Sequence, residues 1–178
     1  MSTLLLNQVQ SLTGKTILQT TGSILQVKST IVTSQFTTSA TMTSAGGGAA
    51  ITDLSVSITP TASTNKMWVM AQLNCAGQAG ATQVYAYLAR GTTPIGVGPA
   101  AGNRSPIGGR YYLNDANTSG MIWMQFLDSP NTTNGITYNV YVGTQNTGTV
   151  YINRTQNDED QIYGARGSCV LTVMEVVA

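Results

Sequence analysis

The segment ITYNVYV (Ile136 to Val142) shows the clearest strand pattern in the chain. Its apolar and aromatic residues recur at every second position, the spacing that places side chains on one face of a β-strand. The Asn134-Gly135 pair before it is typical of a tight turn leading into a strand. We therefore expect a strand here, with one face directed toward a hydrophobic core.

Segments on both sides of this strand have a similar composition, because Thr, Val, Ile and Tyr are frequent while the helix formers Glu and Lys are rare. Turn-forming clusters separate them at intervals of about 8–12 residues, which is typical of a sandwich or barrel. Two segments are so continuously apolar that we expect inner strands: 66–75, buried on both faces, and 121–127. The other predicted strands are residues 23–33, 35–43, 51–59, 82–90, 149–153 and 168–177.

These patterns predict an all-β fold in residues 23–178, an antiparallel β-sandwich with a jelly-roll-like arrangement of two sheets. A chain of 178 residues suits one such domain and is long enough to bury a real core. We expect no second full domain.

Residues 1–22 differ from the rest because they are polar with sparse apolar positions. Leu5, Val9 and Leu12 follow the i, i+4, i+7 spacing of one helical face. The segment is either a disordered tail, or an extended arm or short three-stranded bundle that docks on a neighbouring subunit. The residues of the predicted assembly arm are Leu4, Leu5, Leu6, Val9, Leu12, Ile17 and Leu18.

The chain is polar but nearly uncharged. Charged residues make up 8% of it and the formal net charge is +1, whereas about 25% is usual in soluble proteins. The lysines and arginines are scattered singly, while nucleic-acid binding requires clustered positive charge. No apolar run approaches the roughly 20 residues of a membrane-spanning helix, and the first residues lack the basic start of a signal peptide. We expect neither nucleic acid nor membrane as a partner.

The chain has no histidine and seven acidic residues, so few of its side chains could act as a general acid, a general base or an activated nucleophile. Nucleophilic schemes that depend on histidine are excluded. Paired carboxylates, as in glycosidases, are the remaining catalytic alternative. Three of the acids are consecutive, at Asp158-Glu159-Asp160, which is typical of a solvated turn and less so of a Ca²⁺ site. We predict no enzymatic activity, no catalytic residue, no cofactor and no metal site.

Cys75 and Cys169 are far apart in the sequence. We interpret them as buried, reduced thiols on strands, with a disulfide as the alternative if the two strands are neighbours. Structural zinc normally needs four ligands, so two cysteines without histidine do not indicate it.

A long loop from Pro99 to Ser119 is the candidate ligand-binding segment, because Tyr111 and Tyr112 border it and an exposed tyrosine pair can stack on a ligand ring. Arg104 and Arg110 lie in the same segment. A core or interface position is the more usual role for the aromatic residues on strands. The possible ligand loop therefore consists of Arg104, Arg110, Tyr111 and Tyr112.

The C-terminal strand is apolar on both faces, so one face can pack the sandwich while the other meets a partner subunit. Glu175 within it needs an arginine or a backbone donor, since a buried unpaired charge costs several kcal/mol. The predicted subunit interface consists of Val170, Met174, Glu175 and Val176.

Five separated blocks, in order along the chain, resemble one family. They are SILQVKS (23–29), LSVSITPTASTNKMWV (54–69), LARGTTPIGVG with AAGNR (88–104), FLDSPNTTNGITYNVYV (126–142), and YINRTQND with GSCVLTVMEV (151–176). As a set they are similar to the short fibre-like or head-decoration structural proteins of tailed bacteriophages. The resemblance covers about residues 15–177. It implies a homotrimer of β-sandwich heads with an N-terminal attachment segment, and it carries over no catalytic residue.

From the sequence we expect a non-enzymatic virion structural protein, assembled in the bacterial host cytoplasm, that acts through assembly contacts. Two roles are open: a trimeric fibre head that binds a host-surface glycan, and a capsid decoration (cement) protein that clamps neighbouring capsomers. The expected partners are identical copies and other capsid or tail proteins. A secreted bacterial adhesin or lectin-like carbohydrate-binding module is the alternative.

Overall fold

The computed structural model describes residues 20–42, 47–80, 82–112, 114–145 and 147–178, and every helix or strand assigned in these ranges is a β-strand. The strands are β1 (Ile24–Val32), β2 (Phe36–Thr38), β3 (Ala49–Ile58), β4 (Lys66–Gly77), β5 (Gln83–Arg90), β6 (Thr93–Ile95), β7 (Gly109–Tyr112), β8 (Gly120–Asp128), β9 (Ile136–Thr144), β10 (Val150–Ile152) and β11 (Cys169–Val176). The same ranges contain no helix long and apolar enough to cross a membrane.

The strands form two antiparallel sheets. In the first sheet β4 is central, with β8 on one side and β11 on the other, and β1 follows β11 at the edge. The short strands β10 and β2 continue the positions of β11 and β1 toward the far end of β4. In the second sheet the order is β3-β9-β5, and β6 and β7 share the place beside β5.

The order of the strands is that of a jelly roll. When β1 with β2, β6 with β7, and β10 with β11 are each counted as one position, the chain has eight positions. The first sheet then reads 1-8-3-6 and the second reads 2-7-4-5. The predicted antiparallel, jelly-roll-like sandwich is confirmed.

The hydrophobic core lies between the sheets, where alternate residues of each strand point inward. β4 contributes Val69 and Leu73, β5 contributes Val84 and Leu88, and β11 contributes Leu171, all almost completely buried. Each such side chain stabilises the fold by about 1.5–3 kcal/mol when it leaves water. The alternating face that the sequence predicts in β9 also points into this core.

Along one side of the sandwich, three inward side chains of β1 are polar and reach carbonyls of β3 and of Thr59, just after its end. Their donors and accepting carbonyls are Gln26 to Thr59 (2.8 Å), Lys28 to Ser57 (2.9 Å) and Thr30 to Ser55 (2.8 Å). β1 and β3 are edge strands of different sheets, so these bonds satisfy carbonyls that no further strand pairs with. This side of the sandwich is thus closed by hydrogen bonds.

The structure corrects the expectation that β4 is buried on both faces and that β8 lies inside. Met67 and Val69 of β4 are buried, but Trp68 between them is 37% exposed. β8 is an edge strand that pairs with β4 alone, and Trp123 at its middle is 70% exposed. Their outer sides remain exposed because no other described segment of the chain covers them fully.

The outer side of the second sheet, in contrast, is covered by loops of the same chain. Tyr87 stacks on Tyr141 with ring centroids 5.1 Å apart, and its hydroxyl donates to the carbonyl of Gly47 at 2.9 Å. Met42 and Ile107 pack in the same cluster. Burial, with a smaller contribution from Tyr141, raises the pKa of Tyr87 to about 12. Among the described residues the two outer faces of the sandwich therefore differ: loops cover that of the second sheet, whereas that of the first sheet is uncovered.

Both cysteines are free and buried, which agrees with the reduced-thiol interpretation. Burial raises the pKa of Cys75 to about 12, with a smaller effect from Cys169, and burial raises the pKa of Cys169 to about 11. Because the thiolate is the reactive form, we expect a disulfide reagent such as dithionitrobenzoate to label the native protein at least about 100-fold more slowly than the unfolded protein at pH 8. Rapid labelling of either thiol before unfolding would contradict this placement.

Candidate assembly surface and loop pocket

The outward side chains of β1, β4, β8 and β11 form one continuous surface, here named the apolar face. They include the exposed hydrophobic residues Val27 (53% exposed), Ile31 (66%), Trp68, Met121, Trp123 and Leu127. Single exposed hydrophobic residues are normal on protein surfaces, whereas a contiguous set marks an interaction site. Sequence patterns missed Trp68 and Trp123 as surface residues, because a continuous apolar run does not show which side of a strand is open.

Strand pairing arranges the apolar face in three rows that cross the sheet from β8 to β1. The first row is Leu127, Trp68, Met174 and Val27; the second is Gln125, Met70, Thr172 and Ser29; the third is Trp123, Gln72, Val170 and Ile31. The first row is entirely apolar and the third has a single polar member. A groove of about 490 Å³ lies over the second and third rows, beside Met70 and Trp123.

Charge is almost absent from the apolar face. Among the described residues that point outward from its four strands, Lys66 is the charged one, and it lies at the corner next to Val176. Gln72, Gln125 and Thr172 supply hydrogen-bonding groups near the centre. A partner can therefore cover this face without burying an unpaired charge, which would cost several kcal/mol.

The predicted interface residues Val170, Met174 and Val176 do point outward onto the apolar face, but Glu175 does not. Consecutive strand residues point to opposite sides, so Glu175 shares the inward side with Val173, and it is fully buried. We therefore remove Glu175 from the candidate interface. The backbone N–H of Thr61 supplies the expected donor, and no arginine contacts the carboxylate among the described residues.

The Glu175 carboxylate is held by the connection between β3 and β4 and by β1. It accepts hydrogen bonds from the backbone N–H of Thr61 at 2.7 Å, the Thr61 hydroxyl at 2.8 Å, Asn65 Nδ2 at 2.7 Å and Gln26 Nε2 at 2.6 Å. Burial opposes ionisation, but the hydrogen bonds from Asn65, Gln26 and Thr61 outweigh it and hold the pKa of Glu175 below its ordinary value. Glu175 is therefore a structural anion.

The four residues of the predicted ligand loop divide into two groups. Arg104 and Arg110 line one pocket of about 650 Å³, together with Tyr85. Tyr111 points to the other side of β7 and packs against the core, so the structure corrects the expectation of an exposed tyrosine pair. Tyr112 is 53% exposed but does not line the pocket. The alternation of side chains along a short strand separates the two tyrosines.

Two acidic residues, Asp128 and Asp158, make hydrogen bonds or ion pairs with other residues of the fold. Asp128 is buried and accepts the Tyr138 hydroxyl at 2.7 Å. Asp158 pairs with Arg166 at 2.7 Å and with Arg154 at 3.6 Å. Over the part of the chain that the structure describes, no group of three or more His, Cys, Asp or Glu side chains could hold a metal ion.

The predicted arm residues Leu4, Leu5, Leu6, Val9, Leu12, Ile17 and Leu18 lie outside the described residues. The first described residue is Thr20. Gly22 and Ile24 line a groove of about 340 Å³ together with Trp68, Leu127 and Val176.

No protein-family model matches the chain, and no curated protein matches it. Solved structures from infectious bursal disease virus are similar to it at low identity. That of the Gx strain is 13% identical over 98% of this chain and 42% of the other, with a TM-score of 0.40. That of derived T=1 particles is 15% identical over 88% and 37%, with a TM-score of 0.39. That of a VP2 subviral particle is 12% identical over 88% and 39%, with a TM-score of 0.36. The chain spans about two fifths of the length of these proteins.

Proposed function

We propose that the protein is a non-enzymatic structural subunit of a tailed-bacteriophage virion that assembles as a homotrimer through its apolar face. The observation that carries this proposal is the exposure of Trp123, Ile31 and their neighbours on a sheet that the described residues leave open. The virion setting and the trimer come from the five sequence blocks that resemble fibre-like and head-decoration proteins.

The proposed occupants of the apolar face are the two other copies of the chain in the trimer. In a threefold arrangement each face turns toward a common axis, and three nearly uncharged faces can meet there without like-charge repulsion and without leaving buried charges unpaired. A face four strands wide and about eight residues long has a projected area of roughly 500 Å². A standard interface buries about 800 Å² on each partner. The N-terminal segment of the neighbouring copy, with its leucines, supplies the additional apolar area.

Both virion roles use this trimer. A fibre head presents its loops to the host surface, whereas a capsid decoration protein clamps neighbouring capsomers through its arm. Immunogold labelling of intact virions distinguishes them, because labelled tails favour the fibre head and labelled capsids favour decoration. A secreted adhesin or lectin-like module is the second candidate function, and the pocket between Arg104 and Arg110 is the observation that favours it.

We expect the full chain to sediment as a species of three times its 18.7 kDa mass at micromolar concentration. Deleting residues 1–19 should weaken the trimer and abolish incorporation into particles, because the proposed arm adds to the buried interface. The truncated chain should keep the same far-ultraviolet circular dichroism as the full chain. A stable monomer of the full chain would contradict the assembly proposal, and unchanged incorporation of the truncated chain would remove the arm from it.

A further inference from the structure

Two of the five arginines have no acidic partner among the described residues. The other three form ion pairs: Arg90 with Asp128 at 3.2 Å, Arg154 with Asp158 at 3.6 Å, and Arg166 with Asp158 at 2.7 Å. Arg104 donates only to the carbonyl of Ala101, at 3.4 Å, and Arg110 makes no hydrogen bond or ion pair with a described residue. In a chain with so few charges, two such guanidinium groups in one pocket require an explanation.

Strand pairing and a tight turn bring the two arginines together. Arg110 on β7 lies directly opposite Tyr85 on β5, on the outer side of the second sheet. The turn at residues 101–104 carries Arg104 to the same pocket, and the hydroxyl of Ser105 anchors this loop on the carbonyl of Met42 at 2.9 Å. Arg104 thus belongs to a loop that is tied to the sheet.

The remaining lining of the pocket is neutral and mixed. Asn103 and Gln145 offer amide groups, and the Tyr85 hydroxyl has no hydrogen-bond partner among the described residues. Ile107 supplies an apolar wall, and no acidic side chain lines the pocket. A volume of about 650 Å³ falls within the range of small-molecule sites, about 300–1,000 Å³.

We propose that this pocket binds an anionic saccharide, with Arg104 and Arg110 clamping its carboxylate or phosphate group. Guanidinium groups bind both anions through paired, charge-assisted hydrogen bonds. Asn103, Gln145 and the Tyr85 hydroxyl bind sugar hydroxyls, and Ile107 contacts the ring. A sugar fits this mixture of amide, hydroxyl and apolar groups better than an acidic peptide, which needs little beyond the two charges.

The pocket and the apolar face lie on opposite sides of the sandwich, because Tyr85 and Arg110 belong to the outer side of the second sheet. An assembly formed through the first sheet therefore leaves the pocket accessible, once in each subunit. Binding by a trimer would gain strength from the three simultaneous contacts. The saccharide site does not depend on the proposed assembly, since a monomer would present the same pocket.

The test is isothermal titration calorimetry of the full chain with four probes: trigalacturonic acid, its fully methyl-esterified form, mannose 6-phosphate and hexaglutamate. We expect one of the two anionic sugars to bind and the neutral ester not to bind. Arg104→Gln and Arg110→Gln should each raise the Kd at least about 10-fold. Arg110→Lys, which keeps the charge but loses the planar fork, should give an intermediate value.

Arg166→Gln is the matched control, because it removes the same charge from a different loop and should leave the Kd unchanged. Preference for trigalacturonic acid identifies a carboxylate sugar, and preference for mannose 6-phosphate identifies a phosphorylated one. The proposal is overturned if neither sugar binds, if hexaglutamate binds more tightly than both, or if the control weakens binding as much as Arg110→Gln does.

Discussion

Glu175→Gln should lower the free energy of unfolding by about 3 kcal/mol at pH 7, the largest stability loss that we expect from a single isosteric change in this chain. The carboxylate accepts four hydrogen bonds from Gln26, Thr61 and Asn65, and it is fully buried. A carboxamide can keep its oxygen at the position to which Thr61 and Asn65 donate, but its NH₂ group then meets the Gln26 Nε2 donor, and the negative charge that strengthens the other three bonds is lost. Urea unfolding, followed by the fluorescence of Trp68 and Trp123, measures the difference.

The same variant has a pH signature with a defined sign. Hydrogen bonds hold the pKa of Glu175 below its ordinary value in the folded state, so its contribution is fully present above the unfolded pKa of about 4.3. That contribution is lost as the pH falls through the folded pKa. We therefore expect the gap between wild type and Glu175→Gln to be constant near neutrality and to narrow in acid. Glu159→Gln, on an exposed loop, is the control and should change stability by less than about 0.5 kcal/mol. A comparably small effect of Glu175→Gln would mean that the anion is not held as described.

The sequence predicted the long strands well because their signals are local. The alternation that begins at Ile136 predicted β9, which extends two residues further than expected, to Thr144. The sequence patterns missed β6 and β7, for reasons visible in their composition. Thr93-Pro94-Ile95 contains a proline, which lacks the backbone donor that a strand signal assumes. β7 lies in a glycine-rich loop and pairs only through its tertiary contact with β5.

Which side of a strand faces the core was harder to predict from the sequence. Lys28 points inward because the backbone of β3 lies within its reach, a contact that depends on the packing of two sheets. The apolar runs of β4 and β8 indicated burial, but the edge position of β8 leaves Trp123 outside. The inward position of Glu175 could have been predicted from the sequence. Glu175 lies two residues after Val173 and four after Leu171, and every second residue of a strand points to the same side.

The joint substitution Trp123→Ser and Leu127→Ser should raise the Kd of the proposed trimer by about 1,000-fold while leaving the head folded. Buried aromatic and aliphatic anchors contribute about 2 kcal/mol or more each to an interface, and 1.4 kcal/mol corresponds to a factor of ten. Within the single chain these side chains remain 70% and 47% exposed. Their loss therefore removes little of the core, and the midpoint of urea unfolding, measured in a monomeric dilution, should barely change.

Tyr112→Ser is the matched control for this experiment. Tyr112 is an aromatic residue of similar exposure, 53%, but it lies on the second sheet, away from the apolar face. Sedimentation velocity over a range of concentrations should show the double variant as a monomer where the wild type and the control are trimers. If the double variant remains trimeric, the copies meet through another surface and the exposed tryptophans need a different partner. If the control also dissociates, general loss of surface hydrophobicity is the cause, because a specific interface on the first sheet cannot be sensitive to Tyr112.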